Sequence, residues 1–154
     1  MNLIAWSQNM TPQAAKAAGA TLVSKDQLFE RADILTIHLV LSSRTRGLVG
    51  AAELERMKPT ARLINASRGP IVEEQALISA LKNKQIAGAA IDVFDIEPLP
   101  PSHPFRTLDN VLATPHIGYV SHGLYKTFYE DTVSNIHKWL DAHQNSAGTG
   151  ENNA

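Results

Sequence analysis

Apolar and polar positions alternate along this chain in a regular order: a short hydrophobic run, then a segment with apolar residues at helical spacing, repeated several times. That order predicts an α/β domain built around a mainly parallel sheet. The first apolar run is residues 3–6 (LIAW). Thr11-Pro12 then offers a capping hydroxyl and a proline suited to the first helical turn, with 14–18 as the helix body and Gly19 as its stop. A second short strand is expected at 21–23, and Ser24 caps a helix over Lys25–Arg31. Residues 33–39 (DILTIHL) carry β-branched side chains and read as a strand.

A polar loop at 42–47 leads to a helix at 51–57 that ends near Pro59. Arg62–Asn65 is the next strand and runs straight into Ser67-Arg68-Gly69-Pro70. Residues 73–83 form an amphipathic helix with Ala76, Leu77, Ala80 and Leu81 on one face. Residues 86–93 (IAGAAIDV) are almost uniformly small or apolar, the pattern of a strand covered on both faces. The stretch 94–109 contains Pro98, Pro100, Pro101 and Pro104 and is expected to be an ordered loop. A last strand at 111–114 precedes a long final helix at 121–143, and the polar tail, 144–154, is expected to be disordered. No internal repeat occurs.

Composition narrows the class without naming a chemistry. At 154 residues the chain can enclose one sizeable core. A formal net charge of -1 gives no electrostatic reason to expect nucleic acid or an anionic membrane as partner. There are no cysteines, so disulfides and thiolate metal sites are excluded. The first residues, MNLIAWSQNM, lack the basic start and apolar core of a signal peptide, and nothing downstream has the length of a membrane span. A cytoplasmic location is therefore the default expectation.

The candidate chemistry lies at the ends of the apolar runs. Arg68 follows a strand directly, where open α/β sheets place their ligands. An arginine there can clamp a carboxylate with two parallel charge-assisted hydrogen bonds, while the plain alternative is a surface pair with Glu73 or Glu74. Glu97 sits in a proline-flanked loop and, alone, reads as a solvated charge. His116 lies after Pro115 at the end of the last strand, and could equally be a loop residue bonded to backbone. If Glu97 and His116 meet in space, a carboxylate on one ring nitrogen fixes the tautomer and makes the ring a general acid. His38, near a strand end, is a weaker candidate for the same crevice. His103 falls in the proline-rich loop, and His122, His137 and His143 on or near the last helix. No HExxH, GxSxG or Tyr-x-x-x-Lys pattern occurs, so a metal site, a nucleophile-elbow hydrolase and a short-chain dehydrogenase are not supported.

Three motifs in order, INASRGPIVEE, AGAAIDVFDIEPLP and NVLATPHIGY, resemble the nucleotide-binding domain of D-isomer-specific 2-hydroxyacid dehydrogenases of the phosphoglycerate dehydrogenase-like group. The resemblance extends from Asn2 to about Leu140. It implies a doubly wound, Rossmann-like parallel sheet and hydride transfer between NAD or NADP and a small 2-hydroxy or 2-keto acid. It further implies that Arg68 binds the substrate carboxylate and carbonyl, that His116 is the proton donor and acceptor, and that Glu97 is its partner. Asp92 would face the nicotinamide carboxamide, Ala66 and Arg68 would lie beside the ring, and Ser67, His116 and Gly118 would also belong to the cofactor site. His38, Leu39, Val40 and Thr45 would line the dinucleotide path. A homodimer is implied for full-length relatives.

Two departures from the family pattern matter. Relatives place a substrate domain first and open the nucleotide domain with a strand, GxGxxG and a helix, whereas this chain starts at the second strand and never forms GxGxxG. The expectation is an incomplete NAD(P)-binding domain over 1–143, without its first strand or substrate domain, and with little activity or cofactor affinity alone. The other reading is a non-catalytic Rossmann-like module that self-associates or binds a partner. Secondly, the position after the family's second strand, usually acidic to hold the adenosine 2′-hydroxyl, is Ser7, with no arginine in its place, which leaves NAD and NADP both open.

Overall fold

Six short strands, each parallel to its neighbours, alternate with helices in the computed structural model, which describes residues 1–147. β1 (Ile4–Ala5) pairs with β2 (Thr21–Leu22) as a two-stranded sheet. β3 (Ile34–Ile37), β4 (Arg62–Asn65), β5 (Gly88–Ile91) and β6 (Val111–Ala113) form a four-stranded sheet in that order. The chain falls into two compact units, one over Met1–Gly118 and one beginning at Tyr119.

Local signals explain the helices. α1 (Pro12–Ala17) starts with Thr11 Oγ1 accepting from the Ala14 amide at 3.2 Å and ends before Gly19, whose φ of 72° no other residue type adopts easily. α2 (Lys25–Arg31) opens with a reciprocal capping box between Ser24 and Gln27. In α3 (Ala51–Arg56), Glu53 accepts from the Gly50 amide at 3.0 Å and from Lys25 Nζ at 2.7 Å, which ties α2 to α3. α4 (Glu74–Lys82) buries Leu77, Ile78, Ala80 and Leu81.

Side chains alternate across the four-stranded sheet, so register decides which ones are buried. Leu35, Leu63 and Ala89 stand in one row and Ile37, Asn65 and Ile91 in another, and all six are buried together with Leu54, Leu77, Ile78 and Leu81. The opposite face carries Ile34, Thr36, Arg62 and Leu112, all exposed. Coverage on both faces, read from 86–93, therefore holds for β5 but not for the sheet as a whole. The small residues of that run reflect close approach: a Cβ at Gly88 would lie 2.7 Å from the Asn110 carbonyl oxygen. The proline-rich stretch is ordered, with a 3-10 turn at Pro104–Arg106 that buries Phe105.

α5 (His122–Ala147) continues past His143, so residues 144–147 of the expected tail are helical, and 148–154 lie outside the described residues. Its described side chains are exposed, and no described helix is long and apolar enough to cross a membrane.

Candidate active site

Because β3 to β6 are parallel, their carboxyl ends lie along one edge, and the residues that follow them line it: His38, Ala66 to Arg68, Asp92 and His116. His116 has a φ of 56°, a left-handed conformation that a residue with a side chain keeps only when its surroundings impose it. Asp92 imposes it. Its Oδ1 accepts from Thr114 Oγ1 at 2.5 Å and from the Ile117 amide at 2.9 Å, and its Oδ2 accepts from the Gly118 amide at 2.8 Å. The His116 amide itself donates to the Thr114 carbonyl at 3.0 Å. Burial raises the Asp92 pKa, but these three donors and the nearby His116 outweigh it, so the carboxyl stays below the usual aspartate value. Gly118 is required here, since a Cβ would fall 2.9 Å from Asp92 Oδ2.

The turn presents His116 Nδ1 to Glu97 Oε2 at 2.7 Å. Glu97 is itself anchored, with Oε1 accepting from the Phe94 amide at 2.8 Å. A carboxylate only accepts, so the ring hydrogen facing it sits on Nδ1, and Nε2 becomes the atom that exchanges protons. Burial raises the Glu97 pKa, but the hydrogen bonds from His116 and Phe94 and the charges of His116 and Arg68 hold it below the ordinary glutamate value. Glu97 is thus ionised at neutral pH. The two side chains remain 35 and 39% exposed, within reach of a small molecule.

Arg68 stands on a turn built by its neighbours. Asn65 Nδ2 donates to the Arg68 carbonyl at 3.0 Å, and Asn65 Oδ1 accepts from the Ser67 amide at 3.1 Å. The guanidinium donates from Nη1 to the Ser67 carbonyl at 2.6 Å and, among the described residues, makes no ion pair. The plain alternative of a pair with Glu73 or Glu74 is therefore absent, and Glu74 instead binds His103 Nε2 at 3.1 Å. Gly69 lies so close to the Phe94–Asp95 peptide that the Arg68 turn and the Glu97 loop share one contact.

The other expected positions divide in two. Ala66, Val40 and Gly118 are exposed along the strand ends, and His38, also exposed, bonds Thr36 Oγ1 through Nε2 at 3.0 Å. Ser67, Thr45 and Leu39 have structural engagements. Ser67 Oγ donates to the Ile37 carbonyl at 2.8 Å, Thr45 Oγ1 donates to the Val40 carbonyl at 2.7 Å, and Leu39 packs against the core. Ser7 follows β1 on the separate two-stranded sheet, with its carbonyl accepting from the Met10 amide. Asn65, Gly69 and Thr114 escaped the sequence reading. The one available signal was a polar asparagine at a buried position of a strand. Among the described residues, no group of three or more histidine, aspartate or glutamate side chains is placed to hold a metal.

The family described as "D-isomer specific 2-hydroxyacid dehydrogenase, NAD binding domain" matches residues 1–118, the span of the first compact unit. The D-3-phosphoglycerate dehydrogenase of Synechocystis is 46% identical over 118 residues, covering 77% of this chain and 21% of that protein. The glyoxylate/hydroxypyruvate reductase B of Enterobacter agglomerans is 44% identical over 124 residues, covering 80% of this chain and 38% of that one. A solved putative D-3-phosphoglycerate dehydrogenase oxidoreductase from Ralstonia solanacearum superposes with a TM-score of 0.83 at 39% identity, covering 92% of this chain and 42% of its own. The chain thus spans less than half the length of each of these relatives. With the family matched across the whole of the first unit, the chain belongs to the NAD-binding domain family of the D-isomer-specific 2-hydroxyacid dehydrogenases.

Proposed function

We propose that this edge of the sheet serves the interconversion of a small 2-keto acid and its D-2-hydroxy acid, with Arg68, Glu97 and His116 as the working side chains. The observation that carries the reading is the 2.7 Å contact between His116 Nδ1 and an ionised, anchored Glu97, next to an Arg68 that makes no ion pair among the described residues. Arg68 binds the substrate carboxylate and orients the carbonyl. His116, turned outward by the Asp92-held loop, gives a proton from Nε2 to the carbonyl oxygen during reduction and takes it back during oxidation. Glu97 keeps the ring in that tautomer and stabilises the imidazolium.

The residues present suit the nicotinamide half of the cofactor. Ala66 and Gly118 are small, exposed and adjacent, and a Cβ on Gly118 would come within 3.9 Å of the Ala66 Cβ, leaving a low surface on which a flat ring can lie. Ala66 and Gly118 would hold that ring, and His38, Val40 and Ser7 would line the path of the remainder. The nicotinamide, when bound, supplies or accepts the hydride at the substrate carbon. Asp92 already accepts three hydrogen bonds within the turn, so its contribution is chiefly to hold His116 in place. Substrates of the size of glyoxylate or hydroxypyruvate fit the reading, since a relative is named for their reduction. The proposal includes a cytoplasmic homodimer without nucleic acid or membrane partners, on the strength of the family resemblance and the net charge of -1.

The test is glyoxylate reduction with NADH or NADPH, measured for the 154-residue chain and for the same chain with a relative's preceding half fused before Met1. In the fused protein, His116→Ala is expected to lower kcat by about 10²–10⁴-fold, the usual contribution of a positioned general acid. Retained turnover would refute the role given to His116.

A further inference from the structure

Asn65 is the polar side chain that the catalytic reading does not use, and it is among the most deeply buried in the protein. A buried amide is retained where its hydrogen bonds hold something in place. Here both ends are used on one target: Oδ1 receives the Ser67 amide at 3.1 Å and Nδ2 binds the Arg68 carbonyl at 3.0 Å. Its backbone carbonyl accepts from the Asp92 amide at 3.0 Å, and Asp92 in turn holds the loop that carries His116. The turn it shapes continues into Gly69, which rests on the Phe94–Asp95 peptide, and the Phe94 amide anchors Glu97.

Resting on the functional reading above, we propose that Asn65 is the positioning residue of the site, acting through Arg68. Its amide clamps both ends of the two-residue turn and so sets the direction in which the guanidinium leaves the sheet. Asn65 touches neither substrate nor cofactor. It works by removing the alternative backbone conformations from which Arg68 would reach elsewhere.

A double-mutant cycle in the fused protein, with glyoxylate as the probe, tests this. Asn65→Ala is expected to lower kcat/KM by about a hundredfold through misplacement of the clamp, mainly as a raised KM. In an Arg68→Met background the same change is expected to cost less than about twofold, because two residues acting as one unit are not additive. Asn65→Asp serves if the alanine variant does not fold, since it keeps the volume and the acceptor for Ser67 while setting a carboxyl oxygen in place of the donor to the Arg68 carbonyl. A second readout does not depend on turnover. Amide resonances of Arg68, Gly69 and Phe94 are compared by NMR between the wild-type chain and the Asn65→Asp variant, and all three are expected to shift. Additive losses in the cycle, or unmoved Arg68 and Gly69 resonances in Asn65→Asp, overturn the proposal. If instead Arg68→Met alone leaves kcat/KM unchanged, the functional reading fails, and the NMR comparison still decides whether Asn65 sets the turn.

Discussion

Replacing Gly69 by alanine tests how tightly the Arg68 turn and the loop that carries Glu97 are built on each other. The added Cβ would overlap the Phe94 carbonyl carbon and oxygen and would lie 2.7 Å from the Asp95 nitrogen. These are backbone atoms and cannot rotate aside. Carbon atoms pack at about 3.5–4.0 Å, so the Arg68 turn and the Glu97 loop must separate by at least roughly 1 Å. Overpacking a close contact of this kind costs about 1–3 kcal/mol. A displacement of about 1 Å at a reacting centre can cost about a hundredfold in rate. We therefore expect Gly69→Ala to lower the stability measured by urea denaturation by that amount, with an unchanged m-value. In the fused protein it should also reduce kcat/KM for glyoxylate well beyond what the stability loss explains. The control is Gly19→Ala, where nothing lies within 4 Å and only the φ of 72° opposes the change. Equal losses of kcat/KM at the two glycines, or full activity in Gly69→Ala, would refute the idea that this contact couples the two halves of the site.

Acid should weaken the fold through the same residues. Glu97 and Asp92 both have pKa values lowered on folding from ordinary values of 4.5 and 3.8, so the stability they contribute is complete above those values and is lost as pH falls through the lower folded ones. Asp95, raised by burial and the Glu74 charge against the pull of Arg46, acts in the opposite sense and offsets part of the loss. Denaturant midpoints should hold steady from about pH 7 to about pH 5 and fall below that, less steeply in Asp92→Asn; an identical acid limb in that variant would show that Asp92 is not a source. A separate expectation concerns cofactor affinity. The 154 residues contain no GxGxxG turn to cradle the pyrophosphate, so the chain by itself should bind NADH more weakly than micromolar, and a micromolar constant by calorimetry would contradict this.

Much of the fold was legible because its signals are local. Ser24 and Gln27 start a helix that runs where the sequence places it, over Lys25–Arg31, because a capping box satisfies the orphan amides of the first turn without help from elsewhere. Arg62–Asn65 is likewise a strand over the expected residues. Expectations drifted where several structures fit one pattern. The apolar run 86–93 contains only four strand residues, since small side chains there answer to neighbouring backbone as much as to the ladder. The last helix passes His143 because nothing in the next four residues breaks it.

The candidate site divides along the same line. Arg68, Glu97 and His116 could be picked from their sequence frames, and each frame ends a strand as expected. What each one does depends on bonds that span the chain. Asp92 reaches residues 22, 25 and 26 positions away to hold His116 in a left-handed turn, and Glu97 meets His116 across 19. Asn65 looks like any polar strand residue until the register buries it beneath the Arg68 turn. Sequence by itself determined the elements, because hydrophobic period and capping act over a few residues. Only the tertiary structure decided the constellation, because parallel pairing brings four strand ends to one edge, and no local pattern encodes which side chains then face each other.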